Sequence, residues 1–175
     1  GTAFEKPVLS NVVSVMYRSA LRKAGTVFFE NEENAQFFLH KNIISAQQMK
    51  VLPGAGINLD EYPYVPMRDD GVCSFLFVGR IMKEKGVDEF FAAAKTIKAE
   101  FGEKVAFDVV GFYEDAYKET VDQLVADSVI KFHGFQTDVH PFYEAADCVV
   151  LPSYHEGMSN VLLEGAATGR TLITS

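Results

Sequence analysis

From residue 72 onward the chain alternates short apolar runs with helical patterns, and this alternation limits the fold more than any other feature. The apolar runs are predicted strands at Val72 to Val78, Ala106 to Val110, Val129 to Phe132, Cys148 to Leu151 and Thr171 to Thr174. Helical spacing fills the gaps, at about residues 87–100, 114–125, 139–146 and 160–168. Strands that are apolar at consecutive positions are buried on both faces. The pattern therefore predicts an α/β fold, a Rossmann-like doubly wound parallel sheet with helices on both faces.

The chain divides near residue 60. Before that point, helical spacing from Pro7 to Ala24 is followed by a short strand at residues 26–30, a helix at residues 32–39 and a strand at residues 49–52. The stretch from Asp60 to Gly71 holds two prolines and an Asp-Asp-Gly turn, which is typical of a linker. We therefore expect two parts, residues 1–60 and residues 61–175.

Charge and composition exclude several classes of protein. Twenty-four acidic and sixteen basic residues give a net charge of −8, the wrong sign for a protein that neutralises nucleic-acid phosphates. Apolar runs stay well short of the roughly 20 residues that span a bilayer. Cys73 and Cys148 lie in apolar runs without metal-site spacing, as expected in a reducing compartment. We expect a cytoplasmic protein without a membrane span, which binds no nucleic acid and holds no metal.

In doubly wound sheets, ligands bind beyond the carboxyl ends of the strands. The loop after the first strand of this sheet contains Gly79, Arg80 and Lys85. A guanidinium fork and an ammonium point charge, close to a helix amino terminus, suit an anion and particularly a diphosphate. The alternative is a solvated loop of mixed charge in which Glu84 is the partner of the cations.

The loop after the fourth strand carries two carboxylates. Glu164 is the one charged side chain in a helix of small and apolar residues, a costly position unless the carboxylate accepts strong hydrogen bonds. The hydroxyl pair of a ligand would supply them. Glu156 precedes Gly157, where a ligand can approach the backbone, and three residues offer N–H groups at the helix start: Met158, Ser159 and Asn160. Alternatively, Glu164 pairs with a buried arginine and Glu156 is a turn residue.

The ordered series of these motifs resembles the donor-binding domain of family 4 (group 1) retaining glycosyltransferases. It comprises Gly79-Arg80, Lys85-Gly86, His133-Gly134-Phe135, Ala146-Asp147, Pro152-Ser153, and Glu156 with Glu164 after seven intervening residues. That family has the GT-B fold, in which two Rossmann-like domains face each other across a cleft. The resemblance implies that residues 1–60 are a remnant of the N-terminal acceptor domain with the interdomain segment. Residues 61–175 would be the nucleotide-sugar donor-binding domain, truncated at its C-terminal end.

The resemblance also implies residue roles. Arg80 and Lys85 would hold the donor diphosphate and neutralise its growing charge, and Glu156 would contact the sugar on its reacting face; these three are the expected catalytic residues. Glu164 would bind the ribose hydroxyls. The remaining expected donor-binding residues are Gly79, Phe135 near the nucleobase, Gly157, Met158, Ser159 and Asn160.

The implied reaction is metal-independent sugar transfer with retention, in polysaccharide biosynthesis. The donor would be a UDP- or GDP-linked sugar, with no further cofactor, and the acceptor a glycan or lipid-linked molecule bound by the missing domain. Peripheral membrane contact is compatible with such an acceptor. We expect the isolated chain to be inactive in transfer.

Two positions depart from the family pattern. Gly165 stands where alanine is usual, and Arg170 stands where proline is usual, either as local variation or to fold toward the cleft.

Other functions were also considered. A glycoside hydrolase would need its carboxylates about 5 to 9.5 Å apart. Glu156 and Glu164 are eight positions apart, which corresponds to about 12 Å in a helix. A nicotinamide dehydrogenase would need Gly-x-Gly-x-x-Gly, which the loop after Val78 lacks. The remaining alternative is a non-catalytic Rossmann-like nucleotide-binding or assembly module.

Overall fold

A computed structural model describes residues 7–175, with side chains from Ser10 onward. The chain forms two compact units that divide between Gly56 and Ile57, four residues before the boundary expected from the sequence. Among the described residues no helix is long and apolar enough to cross a membrane.

The first unit is a small α/β body. Its helices are α1 (Pro7–Leu21) and α2 (Glu32–His40), and its strands β1 (Val27–Phe29) and β2 (Met49–Val51) pair in parallel. Asn31 caps α2, since its side-chain oxygen accepts a hydrogen bond from the Asn34 backbone N–H at 2.8 Å. Four buried side chains form the core of this unit: Phe29, Ala35, Ile43 and Ile44.

The second unit contains a five-stranded, fully parallel sheet in the order β5-β4-β3-β6-β7. The strands are β3 (Cys73–Val78), β4 (Val105–Val110), β5 (Lys131–Phe132), β6 (Cys148–Leu151) and β7 (Thr171–Thr174). The helices between them are α3 (Val87–Phe101), α4 (Lys118–Ala126), α5 (His140–Ala145) and α6 (Asn160–Ala167). This arrangement confirms the predicted Rossmann-like α/β fold.

Both faces of this sheet are buried, as the apolar strands predicted. Phe77 and Val109 face one side and pack with Phe90 of α3. Leu76 and Val149 face the other side, in a cluster with Tyr143 of α5 and other residues. The helices that follow β3 and β4 therefore cover one face, and the helices that return the chain toward β6 and β7 cover the other.

Strand β5 is shorter than the sequence predicts. The backbone N–H groups of Val129 and Ile130 bond to the Leu124 carbonyl oxygen, at 2.9 and 3.4 Å, and so continue the end of α4. Those N–H groups are unavailable to a sheet partner. Pairing with β4 consequently begins at Lys131, opposite Asp108.

The two departures from the family pattern have structural explanations. A Cβ on Gly165 would lie 2.8 Å from Cγ2 of Val149, so glycine lets α6 lie close to the sheet. Arg170 is 5% exposed and precedes β7, at the edge where strands begin. Its guanidinium donates to the carbonyl oxygens of Ala146 (2.8 Å), Thr168 (2.8 and 3.2 Å) and Val65. Arg170 therefore does not fold toward the loops that follow the strands, and it joins three backbone segments instead.

Candidate functional site

The site is built on the loops that follow the strands, and backbone hydrogen bonds join these loops to one another. The Gly79 N–H donates to the Val110 carbonyl at 2.9 Å, and the Gly111 N–H donates to the Gly134 carbonyl at 2.9 Å. Gly111 has a φ of +144°, and a Cβ there would lie 1.9 Å from the Gly79 carbonyl oxygen. The ends of β3, β4 and β5 thus form one packed edge.

The topology predicts a ligand crevice at the ends of β3 and β6. These strands are neighbours, and the chain leaves β3 toward β4 but leaves β6 toward β7, in the opposite direction. In sheets of this kind, ligands bind where the connections diverge. The two loops singled out in the sequence lie at this point, and they pack directly against each other.

Lys85 and Glu156 meet across these loops. The Lys85 ammonium pairs with Oε1 of Glu156, and the two side chains are 25% and 26% exposed. The loop after β6 is also held to the loop after β3 through the backbone, because the Tyr154 N–H and the Ser153 hydroxyl donate to the Glu84 carbonyl at 2.9 and 3.0 Å. The partner of Lys85 is therefore Glu156 and not the Glu84 carboxylate.

Arg80 remains exposed on the same loop as Lys85. Within residues 10–175, its guanidinium makes no ion pair and no side-chain hydrogen bond. The next residue, Ile81, is fully buried, so the backbone under Arg80 is anchored while its charge faces solvent. The loop thus presents Arg80 and Lys83 as exposed cations without an ion pair among the described residues, and Lys85 as a cation that shares its charge with a carboxylate.

The hydrogen-bond partner of Glu164 is a tyrosine and not the buried arginine considered as an alternative from the sequence. The hydroxyl of Tyr143, a fully buried residue, donates to Oε2 of Glu164 at 2.7 Å. Burial and the adjacent Glu164 carboxylate both raise the pKa of Tyr62. Glu164 therefore lies beside two tyrosines, and it makes no contact with the Lys85–Glu156 pair.

The remaining predicted donor-binding residues lie on the same edge of the sheet, on separate loops. Phe135 is 66% exposed in the loop after β5, and Met158 is 41% exposed in the loop after β6, where Gly157 is exposed too. Ser159 is the N-cap of α6 with extended backbone, and its side chain makes no capping hydrogen bond. The N–H groups at the start of α6, from Asn160 onward, are thus left without that side-chain partner.

Two histidine–carboxylate pairs were not singled out by the sequence. His133 Nε2 lies 2.6 Å from Oδ1 of Asp108, and His140 Nδ1 lies 2.7 Å from Oδ1 of Asp138. Asp108 precedes His133 by 25 residues, so only the pairing of β4 with β5 brings the two together. The Asp-x-His spacing of the second pair could have been noticed. Elsewhere in the described residues, no three His, Cys, Asp or Glu side chains cluster as metal ligands would.

Fold and site together define a Rossmann-like α/β domain with cations and carboxylates on the loops that follow its strands. A family model described as "Glycosyl transferases group 1" matches residues 73–175, more than half of the chain. The chain belongs to this family, and the resemblance inferred from its motifs is confirmed.

The chain also resembles individual proteins in sequence and solved structures in fold. The chain is 24% identical to an N,N′-diacetylbacillosaminyl-diphospho-undecaprenol alpha-1,3-N-acetylgalactosaminyltransferase of Campylobacter jejuni, over 98% of this chain and 48% of that protein. Anabaena Alr3699/HepE, solved with UDP and glucose, superposes with a TM-score of 0.68 at 19% identity, covering 92% of this chain and 48% of that one. The C-terminal domain of the Francisella tularensis group 1 protein LpcC gives a TM-score of 0.57 at 26% identity, over 68% of this chain and 70% of that domain. The chain spans about half the length of the first two relatives.

Proposed function

We propose that this chain is the donor-binding part of a retaining, metal-independent glycosyltransferase that uses a UDP- or GDP-linked sugar. The acceptor would be a glycan or a lipid-linked molecule, bound by an N-terminal domain of which residues 1–60 are a part. The observation that carries the proposal is the Lys85–Glu156 pair at the crevice, with the unpaired Arg80 on the same loop as Lys85.

The proposed chemistry follows from charge. When the bond between sugar and diphosphate breaks, negative charge grows on the leaving diphosphate. Arg80 has no internal partner, so its full charge and its bidentate fork are available to phosphate oxygens. Lys85 would lie between the diphosphate and the Glu156 carboxylate, which keeps the ammonium in place. Fixed charges of this kind stabilise a transition state because they need no rearrangement during the reaction.

Glu156 and Glu164 would then act on opposite ends of the donor. Glu156, in the middle of its loop beside Lys85, would accept hydrogen bonds from sugar hydroxyls on the reacting face. Glu164, in the second turn of α6, would accept hydrogen bonds from the ribose, and the exposed Phe135 ring would lie near the base. The relatives support this direction: one is named for transfer to a diphospho-undecaprenol-linked acceptor, and another was solved with UDP and glucose.

Arg80→Ala and Glu164→Ala should each weaken nucleotide diphosphate binding by about ten- to a hundredfold, because a hydrogen bond to a charged group contributes about 1.5–3 kcal/mol. Calorimetric titration with UDP, GDP and ADP measures this and identifies the preferred base. Arg22→Ala is the matched control, an exposed arginine of the first unit, and should bind as the unmodified chain does. If both Arg80→Ala and Glu164→Ala bound nucleotide diphosphates with undiminished affinity, the site assignment would be wrong.

A chelator should leave nucleotide binding by this chain unchanged, because the proposed phosphate ligands are cationic side chains and not a metal ion. Titration with UDP before and after dialysis against EDTA tests this. A loss of affinity that is restored by Mg²⁺ or Mn²⁺ would contradict metal independence. The same chain incubated with UDP-sugars should release no UDP, since we expect transfer to need the acceptor domain.

A further inference from the structure

Glu164 is held by a tyrosine that has no exposed surface. Tyr143 projects from α5 into the core cluster of Leu76, Val110 and Val149, and its hydroxyl reaches Oε2 of Glu164 at 2.7 Å. Packing on all sides fixes the ring, so the position of the hydroxyl oxygen is fixed as well. The carboxylate is therefore oriented by the core and not by solvent.

The identity of this partner matters for what Glu164 can still bind. Burial, together with the hydrogen bond to Glu164, raises the pKa of Tyr143 well above its ordinary value, so the hydroxyl stays protonated and donates. A tyrosine hydroxyl is an uncharged donor, whereas a buried arginine would supply a compensating positive charge. An ionised carboxylate accepts about four hydrogen bonds, and Tyr143 uses one of them.

A second aromatic side chain borders the pair. Tyr62 packs edge-on against Tyr143, with ring centroids 6.1 Å apart, and stacks on His140 at 4.5 Å. His140 is itself bonded to Asp138 at 2.7 Å. Burial raises the pKa of Tyr62, and the Tyr62 hydroxyl is also close enough to Glu164 for the carboxylate to raise that pKa further. Tyr62 is therefore a second tyrosine beside the Tyr143–Glu164 pair.

We propose that Tyr143 is a positioning residue for nucleotide recognition: its hydroxyl orients Glu164 so that the remaining carboxylate lone pairs face the 2′- and 3′-hydroxyls of the donor ribose. This inference rests on the proposed function. It adds a residue that never touches the ligand and explains why the fully buried Tyr143 is a tyrosine instead of a phenylalanine.

The test compares UDP with 2′,3′-dideoxy-UDP, which keeps the diphosphate and the base. Tyr143→Phe keeps the ring and removes the hydroxyl. We expect it to weaken UDP binding about three- to tenfold, the typical net size of one hydrogen bond, because the carboxylate keeps its contact with the ribose but loses the group that orients it. The affinity for 2′,3′-dideoxy-UDP should be unchanged. In a Tyr143→Phe/Glu164→Ala double variant the loss should equal that of Glu164→Ala alone, since the tyrosine acts only through the glutamate.

Tyr117→Phe is the matched control. Its hydroxyl also donates to a carboxylate, that of Asp88 at 3.3 Å, but it packs against the cluster on the opposite face of the sheet. This variant should leave both affinities unchanged.

Each other outcome overturns the inference. Equal loss of UDP and dideoxy-UDP binding in Tyr143→Phe would show a general structural role. A second contradicting result is that Tyr143→Phe binds UDP as the unmodified chain does, while Glu164→Ala no longer distinguishes UDP from 2′,3′-dideoxy-UDP. Tyr143 would then have no positioning role, and the proposed function would still hold. If neither variant alters discrimination, or if the unmodified chain binds no nucleotide, both the inference and the ribose-binding role of Glu164 are wrong.

Discussion

Gly86→Ala should destabilise the second unit by about 2–5 kcal/mol and abolish nucleotide binding. Gly86 has a φ of +67°, and a Cβ there would lie 1.8 Å from the Pro152 carbonyl oxygen and 2.5 Å from its carbonyl carbon. Those are backbone atoms, so the clash cannot be relieved by a rotamer change. The cost combines left-handed strain of about 1–2 kcal/mol with overpacking of about 1–3 kcal/mol.

The functional loss follows from the position of Gly86. It comes directly after Lys85, and the loop that begins at Pro152 carries Glu156. Moving Pro152 away from residue 86 would separate the two members of the ion pair. Urea denaturation followed by calorimetric titration with UDP measures both effects.

Gly134→Ala is the control for this prediction. Gly134 has the same φ of +67°, but nothing lies within 4 Å of a Cβ there. Only the backbone strain of about 1–2 kcal/mol should appear. Equal destabilisation by the two variants would show that the close approach of Pro152 is not what requires glycine.

Arg170→Ala should lower the free energy of unfolding by about 2–5 kcal/mol, because it leaves the carbonyl oxygens of Ala146 and Val65 without the guanidinium donor, at about 1–3 kcal/mol for each unsatisfied group. Arg170→Lys should recover only part of the loss, since an ammonium cannot reproduce the geometry of the guanidinium fork. Chemical denaturation of the three proteins gives the comparison.

Arg80→Ala should have the opposite effect to Arg170→Ala, a loss of binding without a loss of stability. Arg80 is exposed and has no partner among the described residues, so the free energy of unfolding should stay within about 0.5 kcal/mol while UDP binding falls. Arg170→Ala should reduce stability, and the protein that remains folded should bind UDP normally. If Arg170→Ala instead lost UDP affinity without losing stability, the arginine would belong to the site.

Much of the second unit could be predicted because one signal, consecutive apolar residues, marks strands buried on both faces. That signal fails where backbone groups are already engaged: Val129 and Ile130 are apolar, yet their N–H groups bond to Leu124 and leave β5 with Lys131 and Phe132. The periodicity of apolar residues indicates which side chains are buried. It does not indicate which carbonyl oxygen will accept a hydrogen bond from a given backbone N–H group. The end of a strand is therefore harder to predict than its existence.

The candidate site could likewise be predicted only in part. Strand order placed the cationic loop and the acidic loop at one edge of the sheet, because parallel strands end together. The partners within that edge depend on tertiary packing: Lys85 with Glu156 spans 71 residues and Tyr143 with Glu164 spans 21. Glu164 was recognisable as an isolated charge in an apolar helix, but no local pattern indicates that a tyrosine would hold it.

The hydrogen bonds that join Gly79 to Val110 and Gly111 to Gly134 form within the protein itself. This edge of the sheet thus loses its conformational freedom when the chain folds, and a ligand that arrives later has little left to order there. Exposed residues such as Phe135 and Met158 make none of these hydrogen bonds. Under the proposed function they can change, and with them the choice of base or sugar, while the scaffold beneath stays as stable as before.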